Sequence, residues 1–274
     1  MAVTTSSSYR AGHDTIPTHV TRVVATERLG PAYVRVTFGG GLERFGSAGP
    51  DDFVYVLLPP PGRRELTIDT TFGWEQYATM PESERPVGAY YTVRHHRPDA
   101  DELDCDVHLH DPAGIVSSWA LHARPGDPVA LWGPRTAWTP PSTTTEWLLV
   151  ADETGIPAVA AILEQRPPEL PAQVYVETTA GVTLPPLPAG EHVTVHRLDR
   201  GADPPGTSPV LVEAVRAAGR PAATTYAWGG AESRSMTAIR RYLRHDVGLA
   251  RTQVSMTPYW RHAAHLEEPS DDDA

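Results

Sequence analysis

The sequence predicts an antiparallel β-barrel followed by an α/β domain on a parallel sheet. Two observations predict it. Between residues 15 and 140, short runs alternate apolar and polar residues and are separated by Gly/Pro clusters, the period-2 pattern of half-buried antiparallel strands. After residue 146, short unbroken apolar runs alternate with helix-length segments, the pattern of strands joined by crossover helices. The rhythm changes at PPSTTTE (140–146). The expected division is therefore 15–143 for the barrel, 144–265 for the α/β domain and 266–274 for an acidic, disordered tail.

In the first half, AYVRVTF places Val34, Val36 and Phe38 on one face. ELDCDVHLH places Leu103, Cys105, Val107 and Leu109 on one face and Asp104, Asp106, His108 and His110 on the other. Turns are expected at GGG (39–41), PPPGRR (59–64) and RPGDP (124–128). In the second half, WLLVAD (147–152) reads as a strand and PAVAAILEQ (157–165) as a helix opened by Pro157. AQVYVET (172–178) and HVTVHRL (192–198) read as strands, and SPVLVEAVRAAG (208–219) as a helix ended by glycine. TTYAWGG (224–230), SMTAIRRYLRHDVG (235–248) and TQVSM (252–256) repeat strand, helix and strand.

Composition removes several function classes. The net charge of -11 argues against a nucleic-acid partner; part of it lies in Glu267, Glu268, Asp271, Asp272 and Asp273. All 23 basic residues are arginine, so no phosphate-loop or Schiff-base lysine exists. The single cysteine, Cys105, excludes an internal disulfide and a cysteine-based zinc site, and reads as a small buried apolar residue. No run approaches the roughly 18 apolar residues of a membrane helix, and the first residues lack an apolar leader core. A soluble, cytoplasmic protein without membrane insertion is expected. His108 and His110, beside Asp104 and Asp106, lack a third partner at metal-ligand spacing, so they read as a solvent- or cofactor-facing pair and no metal is expected.

Five segments carry the chemistry. Ala89-Tyr90-Tyr91-Thr92-Val93-Arg94 is by itself a good strand. Next comes His110-Asp111-Pro112-Ala113-Gly114-Ile115-Val116-Ser117-Ser118-Trp119-Ala120. Val150-Ala151-Asp152-Glu153-Thr154-Gly155-Ile156-Pro157 falls at a strand-to-helix turn, where ligands of open α/β sheets collect. Trp228-Gly229-Gly230-Ala231-Glu232 and Pro258-Tyr259-Trp260-Arg261-His262 follow near the end of the chain.

In order and spacing, from about residue 18 to 262, these segments resemble the siderophore-interacting proteins, a branch of the ferredoxin–NADP reductase superfamily. The matching patterns are R-x-Y-T-x-R, H-G-x-x-G-P-A-S-x-W-A, G-D-E-T-A-x-P-A-I, W-x-A-G-E and G-Y-W-R-x-G. The resemblance implies a Greek-key FAD-binding barrel and a ferredoxin reductase-like domain that takes NADH or NADPH. It implies FAD contacts from Tyr91, Thr92, Val93, Arg94, His108, His110, Gly114, Val116, Ser117 and Ser118. It places Gly155, Trp228, Gly229, Gly230 and Glu232 among the cofactor-binding residues, Asp152, Glu153 and Thr154 around the nicotinamide, and Trp260 against the flavin. Arg135, Arg197 and Arg261 would meet an anionic ferric siderophore. The chain departs from the patterns at Ala89, Asp111, Val116 and Ala151, so Arg94, Arg97 or Arg135 would replace the missing arginine. Glu177 ends its strand with no basic residue nearby in sequence, which favours NADH. The implied activity is reduction of siderophore-bound Fe(III) through flavin. Two alternatives stay open: a flavin-scaffold tailoring enzyme of secondary metabolism, redox or non-redox, and a non-catalytic ligand-binding protein. The oligomeric state is not readable.

Overall fold

The computed structural model describes residues 16–46, 49–111 and 113–265; the expected disordered tail lies outside them. The described residues form a seven-stranded antiparallel sheet and a five-stranded parallel sheet. The first contains β1 (Thr18–Arg28), β2 (Tyr33–Gly39), β3 (Phe53–Leu58), β4 (Val87–Thr92), β5 (His95–Arg97), β6 (Glu102–His108) and β7 (Pro128–Arg135), in the order β4-β3-β7-β1-β2-β6-β5. It curls toward closure, because Arg94 N, just past β4, donates to Asp104 O of β6 at 2.8 Å. Helix α1 (Trp74–Thr79) lies in the β3–β4 connection and α2 (Ile115–Ala120) follows β6. Val34, Val36 and Phe38 meet Val54, Val56, Leu103, Cys105, Val107 and Leu131 in the barrel interior, with Val116 and Ala120 of α2 packed against them.

The second sheet contains β8 (Glu146–Ala151), β9 (Ala172–Thr178), β10 (Val193–Asp199), β11 (Thr225–Glu232) and β12 (Val254–Trp260), in the order β10-β9-β8-β11-β12. All four pairings are parallel. Helix α3 (Ile156–Glu164) covers one face, and α4 (Val210–Ala217) and α5 (Ser233–Arg241) cover the other. The strand order reverses between β8 and β11, and open sheets of this kind bind ligands at the carboxyl ends beside such a switch point. No helix among the described residues is long and apolar enough to cross a membrane.

Two readings need correction. The polar face of β6 does not point to water: Asp104 and Asp106 are buried. The reason is the register, which sets Arg35 opposite Asp106, and Thr37 and His95 opposite Asp104. Arg35 donates twice to Asp106, at 2.7 and 2.9 Å. Thr37 donates to Asp104 at 2.8 Å, and Arg97 adds bonds of 2.6 and 2.8 Å. Alternation signals strand geometry; only the neighbours decide whether a polar face is wet. The last predicted helix also ends early. α5 stops at Arg241, a wider π turn carries Tyr242–Val247, and Gly248 at φ 88° closes it.

Candidate functional site

The carboxyl ends of β8 and β11 meet on Asp152. Its Oδ1 caps the turn after β8, accepting from Thr154 N at 2.8 Å and Thr154 Oγ1 at 2.5 Å. Its Oδ2 accepts from Glu232 N at 3.0 Å and Trp260 Nε1 at 2.7 Å. One buried carboxylate thus ties β8, β11 and the end of β12 together, and burial raises its pKa. Gly155 is required here: a Cβ would collide with the Gly230 carbonyl oxygen.

Beside Asp152 lies a charged cluster closed to solvent. Glu153 (4% exposed) accepts from Arg200 at 2.6 and 3.0 Å. Glu177 sits 3.5 Å from the same guanidinium. The expectation that Glu177 has no basic neighbour is therefore wrong, and its argument for NADH falls. Glu177 and Arg200 end adjacent parallel strands, a pairing that appears only once the sheet register is known. The barrel reaches this cluster through Tyr33, whose hydroxyl donates to Glu153 O at 2.7 Å.

His108, at the end of β6, packs against Tyr33 (ring centroids 5.1 Å) and His110 (5.9 Å). Burial pulls the His108 imidazole down to about 4, leaving it neutral, and its Nδ1 has no hydrogen-bond partner among the described residues. His110 lies past the strand end and is exposed. Its Nε2 stands 3.6 Å from where a Gly114 Cβ would be. Gly114 opens α2, and Ser117 Oγ donates back to Gly114 O at 3.1 Å. Val116 and Ser117 are buried while Ser118 is exposed. Thr92 and Val93 are buried at the end of β4, and Tyr91 packs against the barrel core.

Other expected site residues have structural work. Trp228 donates from Nε1 to Asp51 Oδ2 at 2.8 Å. That bond joins the two domains and was invisible in sequence, because Asp51 and Trp228 lie far apart in the chain. A Cβ on Gly229 would meet Met256 Sδ at 2.6 Å, and one on Gly230 would meet the Tyr259 ring at 2.7 Å. Both glycines thus permit close packing. Glu232 caps α5 through Arg234 N at 2.6 Å and accepts from His262 N and His265 Nδ1 at 3.2 and 3.1 Å.

The basic residues are dispersed. Arg94 grips Glu164, at the far end of α3, with bonds of 2.6 and 2.5 Å. It lines an interdomain cleft of about 860 Å³ with Arg35, His95, His96 and Arg97. That cleft lies a helix length from Gly155, roughly 13 Å along α3, and its arginines are matched by carboxylates. Arg94 therefore ties the two domains together. Arg197 sits exposed on edge strand β10. Four strand spacings, roughly 19 Å, separate it from β12 and Arg261, so these two do not line one pocket. Arg135 lies over the rings of Trp132 and Tyr90, at 4.5 and 5.4 Å. Among the described residues no group of three or more His, Cys, Asp or Glu is arranged to hold a metal.

Two family models match, the siderophore-interacting FAD-binding domain over residues 22–138 and the siderophore-interacting protein model over 144–263. The chain belongs to the siderophore-interacting protein family. Ferric vibriobactin reductase ViuB of Vibrio cholerae is 31% identical over 186 residues, 67% of this chain and 68% of ViuB. The NADPH-dependent ferric-chelate reductase of Escherichia coli is 34% identical over 148 residues, 52% of this chain and 54% of that protein. A siderophore utilization protein from T. fusca superimposes with a TM-score of 0.79 at 27% identity, covering 91% of this chain and 95% of that one.

FAD is the cofactor of the family's N-terminal domain, and the residues here fit it. Gly114 leaves room where a Cβ would stand, the N–H groups of the first α2 turn lack intrahelical partners, and His108 holds an unpaired ring nitrogen. The fit rests on hydrogen-bond donors and packing, since Ala89 supplies no charge and Arg94 is engaged with Glu164.

Proposed function

We propose that this chain is an FAD-dependent oxidoreductase that passes electrons from NADH or NADPH to Fe(III) held by a siderophore, releasing Fe(II). The observation that carries the proposal is the meeting of three parts at the switch point: the Asp152–Gly155 turn, the Gly114 entry to α2 with His108, and Trp260. When bound, FAD would supply the conversion of one hydride from NAD(P)H into two single electrons, so that two ferric ions become ferrous with release of NAD(P)+ and a proton.

The protein's part is positioning. Asp152 locks Thr154 and Trp260, so both surfaces proposed to border the nicotinamide and the flavin are fixed by one group. Glu153 is held by Arg200, and neutral His108 offers Nδ1 without adding charge. Gly114 and the first turn of α2 would hold the pyrophosphate, with Ser118 exposed beside them and Ser117 shaping the turn. Tyr91, Thr92 and Val93 would border the ring system. Arg135 and Arg261 are the arginines proposed to face the ferric substrate.

The test is an anaerobic titration of the flavin-loaded protein with NADH and with NADPH, then with a ferric chelate. Bleaching of the flavin band by a nucleotide and its return on adding the chelate, with trapped Fe(II), is expected. A bound flavin that neither nucleotide bleaches would refute the donor assignment. Protein that takes up no FAD would refute the function.

A further inference from the structure

Tyr33 begins β2 in the barrel, yet its side chain is wholly buried in the core of the α/β domain, clustered with Leu149, Ala151, Ile156 and Val159. Its ring also meets its register partner on β6, His108, with centroids 5.1 Å apart. The hydroxyl ends on the nucleotide-side turn, donating to Glu153 O at 2.7 Å. Burial, aided by Glu153, Asp152 and Asp106, holds the phenol far above its ordinary range, so the oxygen stays a donor. Glu153 is thus gripped from both domains, by Arg200 on its carboxylate and by Tyr33 on its carbonyl. The Arg94–Glu164 tie holds the far end of α3 and the Trp228–Asp51 bond the middle of β11. The Tyr33 bond falls on the turn itself.

We propose that Tyr33 is a positioning residue for hydride transfer, its hydroxyl setting the Glu153–Thr154 backbone against the barrel so that a bound nicotinamide meets the flavin squarely. The proposal rests on the reductase reading for its two ligands. Tyr33 is closed to solvent, so it acts through its neighbours: His108 on the flavin side and Glu153 on the nicotinamide side. Thr154, next to Glu153, is fixed to Asp152, which also receives Trp260. A shift at the Glu153 carbonyl therefore carries the nicotinamide wall with it. Hydride transfer is steep in geometry, and a misplacement of about 1 Å costs roughly 100-fold. A residue that acts in this way changes the rate of the chemical step and leaves nucleotide affinity alone.

The test uses the full chain loaded with FAD and the tetrahydro analogues of NADH and NADPH, which bind like the reduced nucleotides and give up no hydride. Stacking of the analogue's ring on the oxidised flavin is read as a long-wavelength charge-transfer absorbance, and affinity is read by calorimetry. Tyr33→Phe removes one oxygen and keeps the ring. It should bind FAD and the analogue as the parent does and lose most of the charge-transfer band. It should also slow the limiting rate of flavin bleaching by NADH or NADPH about tenfold. Glu164→Gln, which weakens a domain tie away from the turn, should lower the melting temperature and keep the band. A Tyr33→Phe protein that keeps the parent's band would overturn this proposal alone and leave the reductase reading standing. A Glu164→Gln protein that loses the band equally would also overturn it, because any loosening of the domains would then suffice. So would a Tyr33→Phe protein whose FAD affinity falls in step with the band. A flavin-loaded parent with no band from either analogue would sink the donor assignment and this proposal with it.

Discussion

Replacing Glu177 with glutamine should stabilise the protein in alkali and leave it nearly unchanged in acid. Glu177 is 2% exposed at the carboxyl end of β9. Burial first, and then Asp152 and Glu153, raise its carboxyl to about 7 from an ordinary 4.5, against the pull of Arg200. A carboxyl raised by folding favours its neutral form in the native state. Its stabilising contribution is therefore complete below pH 4.5 and lost as pH rises through 7. The gap corresponds to about 3 kcal/mol once the group is ionised in both states. Glutamine keeps the shape and never ionises, and Asp152 and Glu153 are common to both proteins. Urea unfolding at pH 5 and pH 8.5 gives the answer. The stability difference between Glu177→Gln and the parent should grow from about 1 kcal/mol or less to roughly 3 kcal/mol in favour of the variant. A difference that stays flat between the two pH values would refute the reasoning and mean that Arg200 holds Glu177 ionised.

Three further outcomes are expected. Gly155→Ala forces a methyl against the Gly230 carbonyl; it should cost about 3 kcal/mol, seen calorimetrically as a melting temperature lower by roughly 6–12 °C. Asp51→Asn turns an amide toward one of the donors Trp228 Nε1, Thr136 Oγ1 or Ala137 N. It should cost about 2 kcal/mol and separate the melting of the two domains, whereas one unchanged transition would show that the Trp228 bond does not couple them. In acid the interdomain tie should fail. Hydrogen bonding from Arg94 lowers Glu164, and Arg97, His95 and Thr37 outweigh burial to lower Asp104. Their stabilisation is present above the unfolded carboxyl range and is lost as pH falls through the lower folded values. The destabilisation measured for Arg94→Met should shrink with it.

The sequence by itself determined the two-domain order, the strand and helix pattern and the position of the nucleotide-side turn. Each depends on local spacing: alternation in β2 and β6, Pro157 one residue into α3, Asp152 two residues before the Thr154 it caps. The motif residues stood in the right order, yet only the tertiary structure assigned their work. Trp228, Gly229 and Gly230 resemble cofactor residues, and the structure adds a domain clamp and two packing contacts at them, because their partners Asp51, Met256 and Tyr259 come from other strands and loops. Arg94 was expected at a phosphate and is held by Glu164, 70 residues later. Asp104 and Asp106 looked like a solvent face until neighbouring strands set arginines opposite them. Arg200 carried no local signal, since its relation to Glu177 exists only across a parallel register. Periodicity is a property of consecutive residues, whereas charge pairing, burial and ring exposure are decided by groups that meet only when the sheets form.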